Sequence, residues 1–271
     1  MQPARATSTI GSQPDGAVRA ERDDPLFVHS VEKAFRVLTA FDAARPTLSL
    51  SQLAAVTGLD KSAAQRFAHT LQTLGYLRKD PRTKHFALTL RTLSPAHHYT
   101  QSDPLVRRAV PYLLQLSRAT DGAANLTMLD GTEIVFVARF TGRHAVTTPT
   151  TVGTRSPAYC TAPGLAMLSR LPLAEVQAIL RASTLRAYTP HTVWRMPEVM
   201  TRVRQAAARG YAVCSEEMLI DDVSVAAAVM DGNGRPVGAV NLAVSKIRSN
   251  PADVEARYAP LVIAAAQAVS D

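Results

Sequence analysis

The stretch SLSQLAAVTGLDKSAAQRFAHTLQTLGYLRKDPRTKHFALTL, Ser49 to Leu90, decides the fold of the N-terminal third of this chain. Ser49 or Ser51 can accept a hydrogen bond from a first-turn amide, Leu53, Ala54 and Val56 are apolar, and Gly58 can end the segment, so a short helix is expected. Asp60 opens a second helix by the same side-chain chemistry. Its buried face is Ala64, Phe67, Leu71 and Leu74, and Gly75 is its C-cap. The short turn between the two, containing Gly58, is that of a helix-turn-helix. YLRKD and HFALTL then read as two strands joined by PRTK, a hairpin with Arg82 and Lys84 at its tip. Upstream, VEKAFRVLTAFDA places Val31, Ala34, Phe35, Leu38 and Phe41 on one helical face, closed by Pro46. Three helices followed by a two-stranded wing describe a winged helix-turn-helix.

The charge agrees with that architecture. The chain carries a formal net charge of +8, and between Lys61 and Arg91 the basic residues are Lys61, Arg66, Arg78, Lys79, Arg82, Lys84 and Arg91, with Asp80 the only acid after Asp60. A basic signature confined to one segment is what contact with a nucleic-acid backbone requires. On the second helix, Lys61, Ser62, Ala63, Gln65 and Arg66 are expected to face solvent near the N-terminal end, which in this motif enters the major groove. Gln can pair there with adenine and Arg with guanine, while Lys61 and Ser62 suit phosphate near the positive end of the helix dipole.

Beyond PAHHYTQSD, a polar junction at 95 to 103, the texture changes. PLVRRAVPYLLQLSRATDG is helical, with Pro111 expected to bend or break it. NLTML and EIVFVARF flank DGTE, a hairpin signal, and AVTTPT is a further strand candidate. CTAPGLAMLSRL, LAEVQAILRA and MPEVMTRVRQAAARG read as helices, YAVCSE, SVAAAVM and PVGAVNLAV as strands, and PADVEARYAPLVIAAAQAVSD as a closing amphipathic helix. Hairpins alternating with helices, without strict βαβ repetition, predict an α+β sensor-like domain with an antiparallel sheet flanked by helices.

Several classes are excluded or disfavoured. No run approaches the roughly 18 to 20 apolar residues of a membrane helix, and the N-terminal 25 residues lack the apolar core of a signal peptide, so a cytoplasmic protein with no membrane partner is expected. Cys160 and Cys214 are the only cysteines, and both are expected to be free thiols. No nucleophile-elbow, phosphate-loop or zinc-protease motif occurs, so no enzyme, cofactor or metal is expected. His97 and His98 read as exposed linker residues, and Glu216, Glu217, Asp221 and Asp222 as carboxylates of a solvated loop.

These residues carry a resemblance. LSLSQLAAVTGLDKSAAQRF with LGYLRKDPRTKHFAL, then NLTMLDGTEIVFVAR, VGTRSPAYCTAPGLAMLS, RGYAVCSEEM and SVAAAVMDGNGRPVGAVNLAVS, resemble IclR-family transcriptional regulators in order and spacing. Within the family, VGTRSPAYCT is most similar to regulators of aromatic-acid breakdown, such as those for protocatechuate and 4-hydroxybenzoate. Residues 1–25 mix Gly, Pro, Ser, Thr and charge without periodicity and read as a disordered tail; the resemblance implies a winged helix-turn-helix domain at 26–94, a linker-helix region at 95–120 and a GAF-like effector-binding and oligomerisation domain at 121–271. It also implies a homodimer or homotetramer, double-stranded operator DNA as partner and a small organic acid, of the aromatic kind, as effector.

Carried over by position, the implied effector-binding residues are Tyr159, Thr161, Ala162 and Gly164 at the start of a helix, and Cys214, Ser224 and Asn241 on facing strands. Arg139 closes a strand run and is a further candidate whose orientation depends on register. Leu165 stands where the family usually has Lys or Arg, Asp221 where it has Gly, and Ala228 where Pro is common, while Pro163 removes one amide from the loop. The alternatives are an enzyme using Cys160 or Cys214 as nucleophile and a ligand-independent interaction protein; Cys160 itself reads as a packed wall residue.

Overall fold

The computed structural model describes residues 24–120, 122–142, 150–248 and 251–270, which form two compact units divided between Tyr99 and Thr100. The expected N-terminal tail and the strand candidate AVTTPT fall almost wholly outside the described residues.

The first unit contains α1 (His29–Leu38), α2 (Leu50–Thr57), α3 (Lys61–Thr73) and the antiparallel pair β1 (Leu77–Lys79) and β2 (Phe86–Leu88). Ser49 is the residue that caps α2. Its hydroxyl accepts from the Gln52 amide while the Gln52 side chain accepts from the Ser49 amide, a reciprocal box that satisfies two otherwise unpaired donors. Gly58 leaves α2 with φ of 65°, and Asp60 caps α3 through a 2.8 Å bond from the Ala63 amide. The wing is closed at its base by two hydrogen bonds between Leu48 and Phe86, of 3.0 and 2.8 Å. Val37, Leu48, Leu53, Ala68, Leu71, Leu77 and Phe86 make the core.

Two details of the sequence reading are corrected here. α1 ends at Leu38, so Phe41 is not on it, and its core side is centred on Val37 while Val31 and Phe35 are exposed. In α3, Leu74 is also exposed, because the helix stops at Thr73 and Leu74 sits at its C-cap.

The junction expected at 95–103 is mostly helical, within α4 (Leu93–Ser102). In the second unit α5 (Pro104–Thr120) follows and runs unbroken through Pro111. Its sheet has the order β5-β4-β3-β8-β7-β6, comprising β3 (Ala123–Asp130), β4 (Glu133–Thr141), β5 (Arg155–Pro157), β6 (Ala212–Ser215), β7 (Asp222–Met230) and β8 (Pro236–Ser245). Every pairing is antiparallel.

One face of the sheet, with Leu126, Val223, Val225, Val240 and Leu242, packs against α5 and α9 (Pro251–Val269). The other face packs against α6 (Ala162–Leu168), α7 (Leu173–Ala182) and α8 (Met196–Arg209). Both faces being covered, the strands are apolar on both sides. A polar residue inside this sheet therefore needs an explanation, which is where the site begins.

Candidate DNA-contact surface and buried polar bay

On α3, Lys61, Ser62, Gln65 and Arg66 are exposed as expected. Ala63 is the correction: it is 6 % exposed and lies on the inner face with Ala64 and Leu71, because residues four apart on a helix share a side and Ala63 aligns with Phe67. His69, one turn beyond Gln65, is exposed on the outer side; the spacing could have found it.

The wing tip is built by an acid rather than a glycine. The Asp80 carboxylate accepts from the Arg82 and Thr83 amides, each at 2.8 Å, and those amides hold the carboxyl below its ordinary range. Lys84 takes a left-handed φ of 60°, which leaves the Arg82 and Lys84 side chains exposed at the tip.

In the second unit, strand register sets the α6-facing side. Arg139 of β4 pairs with Asn125 of β3, which pairs with Asn241 of β8 and then Ala226 of β7. One step along, Ala123 pairs with Ala243, Ala243 with Ser224, and Ser224 with Cys214 of β6. These rows bring Arg139, Cys214, Ser224 and Asn241 onto one side. They also add Asn125, Thr127 and Asp222, which the sequence reading had not selected.

Thr127 lies on the same side as Asn125 by strand alternation, and a β-bulge that leaves Val137 of β4 unpaired sets Phe136 opposite it. The Arg139 guanidinium donates to Asn125 Oδ1 at 2.9 Å, and Asn241 Nδ2 donates to Ser224 Oγ at 3.0 Å. Among the described residues, Thr127 Oγ1 and Asn241 Oδ1 are buried without a hydrogen-bond partner. Leaving such atoms unsatisfied costs about 1–3 kcal/mol each. Ala123 and Ala243 lie beside them with only methyl side chains, and Ala226 and Ala239 pack in the cluster with α6, α7 and α8, so the whole is a polar bay on an otherwise apolar face.

The acids at 216–222, expected in a solvated loop, are separated and fixed. Glu217 is 4 % exposed and pairs with Arg202 of α8 at 2.9 Å, while Glu216 pairs with Lys246, which holds its carboxyl below the usual range. Asp221 adopts a left-handed φ of 67°, and its carboxylate accepts from Ser245 Oγ and from the Ile247 amide at 2.7 Å. Those bonds hold an aspartate in a backbone conformation that favours glycine. Asp222 turns instead onto the bay side. Burial pushes its carboxyl up to about 7, against the opposing pull of Arg139 and with a further push from Asp221.

A folded-state value above the unfolded one means that this carboxyl favours the fold below about pH 4, and that the advantage is lost as pH rises through 7. The stability of Asp222→Asn relative to the wild type is therefore expected to increase by about 2–4 kcal/mol between pH 4 and pH 8. Thermal unfolding at the two pH values checks this, and a constant difference would refute it.

At the start of α6 the side chains are engaged by their own surroundings. The Tyr159 hydroxyl donates to Arg186 O at 2.6 Å and accepts from the Arg186 amide at 3.0 Å, so it pins the 183–188 loop. Thr161 Oγ turns back to Pro157 O at 3.0 Å. Ala162 is buried, and Gly164 lies so close to Ala158 that an added Cβ would come within 2.1 Å of its carbonyl oxygen. The glycine thus serves helix-to-turn packing. Pro163 occupies the first turn of α6, where a missing amide is tolerated, and Leu165 is buried near Arg202 and Ala212.

Cys160 and Cys214 are buried free thiols whose ionisation burial disfavours; Cys160 Sγ contacts Met218 Sδ at 3.3 Å, and Arg202 approaches Cys214 Sγ at 3.7 Å. Neither has the lowered pKa of an activated nucleophile.

A capped helix-turn-helix with a basic wing, in one chain with a second unit whose covered sheet encloses a polar bay, defines a DNA-binding transcriptional regulator with an effector-binding domain. The family described as "Bacterial transcriptional regulator IclR C-terminal" matches residues 97–271, and "IclR helix-turn-helix domain" matches residues 30–81. The chain belongs to the IclR family, one of regulators and not of enzymes.

It is 30% identical to the Pca regulon regulatory protein of Pseudomonas putida over 98% of this chain and 93% of that one. A transcriptional-regulator structure from Rhodococcus sp. RHA1 superimposes with a TM-score of 0.78 at 30% identity, covering 90% of this chain and 97% of that one. An IclR homolog from Microbacterium hydrocarbonoxydans, complexed with 4-hydroxybenzoate, shares the fold with a TM-score of 0.74 at 19% identity, covering 89% and 97%. Among the described residues, no helix is long and apolar enough to cross a membrane.

Proposed function

We propose that the chain binds a double-stranded operator through Lys61, Ser62, Gln65 and Arg66 of α3 and Arg82 and Lys84 of the wing. We propose further that a small aromatic carboxylic acid in the polar bay sets its affinity for that operator. The observation that carries the effector reading is the pair of buried oxygens without a hydrogen-bond partner among the described residues, Thr127 Oγ1 and Asn241 Oδ1, near Arg139. A ligand carboxylate suits a guanidinium, ring hydroxyls suit Ser224 and Asn241, and a flat ring suits the methyl side chains of Ala123 and Ala243. The relative complexed with 4-hydroxybenzoate and the Pca regulon relative support an aromatic acid.

Operation as a homodimer or homotetramer is part of this reading, because two recognition helices about 34–36 Å apart reach successive major grooves. The exposed Val31 and Phe35 of α1 supply an apolar strip for a second copy. Regulation follows if the effector binds one arrangement of the oligomer better than another, for a ligand shifts an equilibrium only by its differential affinity.

Thermal-shift titration with 4-hydroxybenzoate is the test. The wild type is expected to be stabilised, and Arg139→Ala to weaken the apparent affinity by about 10- to 100-fold through loss of a charge-assisted bond. No stabilisation by any member of a broad panel of aromatic and aliphatic acids would overturn the effector reading.

A further inference from the structure

The bay has two charged ends, and the second goes beyond an anion site. Asp222 follows Ser224 toward the start of β7 on the same side of the sheet, its partner on β8 being Ser245. Between Asp222 and Arg139 the paired residues Ala123 and Ala243 raise only methyl groups, and the two charges act on each other.

The neighbouring acids are all engaged. Asp221 is held by Ser245 and Ile247, Glu216 by Lys246 and Glu217 by Arg202. The Asp222 carboxyl alone among the four has no hydrogen bond or ion pair within the described residues, although burial already works against its charge. A partly buried carboxyl without a partner is a standing cost to the fold unless something arrives to donate to it.

We infer that Asp222 is the specificity-determining residue of the bay, accepting a hydrogen bond from a hydroxyl or amino group at the end of the effector opposite its carboxylate. The inference rests on the aromatic-acid reading and narrows it to a hydroxy- or amino-substituted aromatic monocarboxylate. Two selections follow from the chemistry. An acid lacking the donor leaves Asp222 unsatisfied, and a diacid places a second carboxylate against it, so both are rejected. Asn125, Ser224 and Asn241 between the two ends line the path of the ring and suit hydroxyls along its edge, while the substituent opposite the carboxylate meets Asp222.

The test is calorimetric titration of the full chain with 4-hydroxybenzoate, benzoate and benzene-1,4-dicarboxylate, repeated on Asp222→Leu and Asp222→Asn. In the wild type 4-hydroxybenzoate is expected to bind about 10- to 100-fold more tightly than benzoate, and the diacid weakest. Asp222→Leu is expected to bring 4-hydroxybenzoate and benzoate within about threefold of each other while benzoate binding persists, which also shows that the variant is folded. Asp222→Asn, closest in shape, keeps part of the preference because its carbonyl still accepts, and relieves the penalty on the diacid.

Equal binding of the two monoacids by the wild type, or an unchanged preference in Asp222→Leu, overturns the assignment to Asp222 and leaves the effector reading intact. Failure of the wild type to bind any of the three, together with no hit in the broad acid panel, overturns both.

Discussion

Replacing Gln65 and Arg66 together by alanine is expected to abolish sequence-specific retention of DNA while leaving weak, salt-sensitive retention of any duplex. Both side chains are exposed on α3, and the helix keeps its Asp60 cap and its inner face of Ala63, Ala64, Ala68 and Leu71, so the fold is untouched. A good bidentate contact to a base edge discriminates by about 1–3 kcal/mol, so losing two removes roughly 2–6 kcal/mol, at least thirtyfold in the specificity ratio. The basic wing and Lys61 remain to hold phosphate. The measurement is a gel shift at fixed salt, using a duplex selected from a random pool by the wild type, against scrambled competitor. Retained preference for the selected duplex would remove α3 from its proposed role.

Gly164→Ala is the substitution expected to damage the second unit most. A Cβ there would lie 2.1 Å from Ala158 O and 2.4 Å from Ala158 Cα, and both obstacles are backbone. Neither can rotate away, so α6 must lift from the short turn at Ala158–Cys160, and α6 is buried along its whole length. Overpacking of this severity destabilises by about 3 kcal/mol or more, lowering the unfolding midpoint by roughly 6–12 °C. A midpoint within 2 °C of the wild type, about 1 kcal/mol or less, would show that the turn yields more easily than its geometry implies. Alanine is otherwise the better helix former, so propensity alone predicts the opposite sign.

What the amino-acid pattern revealed depended on how local the physics was. The caps of α2 and α3 were legible because a hydroxyl or carboxylate reaches an amide three residues away, and Ser49 and Asp60 do so. The buried side of α1 was not, because it depends on where the helix ends: stopping at Leu38 moves the core to Val37. Ala63 was misplaced because position near a helix N-terminus does not by itself determine which side a residue faces.

In the bay, Asn241 and Ser224 came from family resemblance, whereas Asn125 and Thr127 carried a signal of their own. They alternate with Leu126 and Met128 in a strand, and polar residues at every second position mark one face. Asp222 could not be told from Asp221 without the backbone. A single left-handed residue sends one carboxylate to Ser245 and Ile247 and the next onto the bay side. Arg139 likewise needed the bulge in its ladder before its side was fixed.

The alternation of β3 has a mechanical meaning. Asn125 faces the bay, while its neighbours Ala124 and Leu126 belong to the core shared with α5. One peptide unit therefore separates a side chain of the bay from side chains packed on α5. β3 thus turns one side to the bay and the other to α5, and it is held between the ladders to β4 and β8.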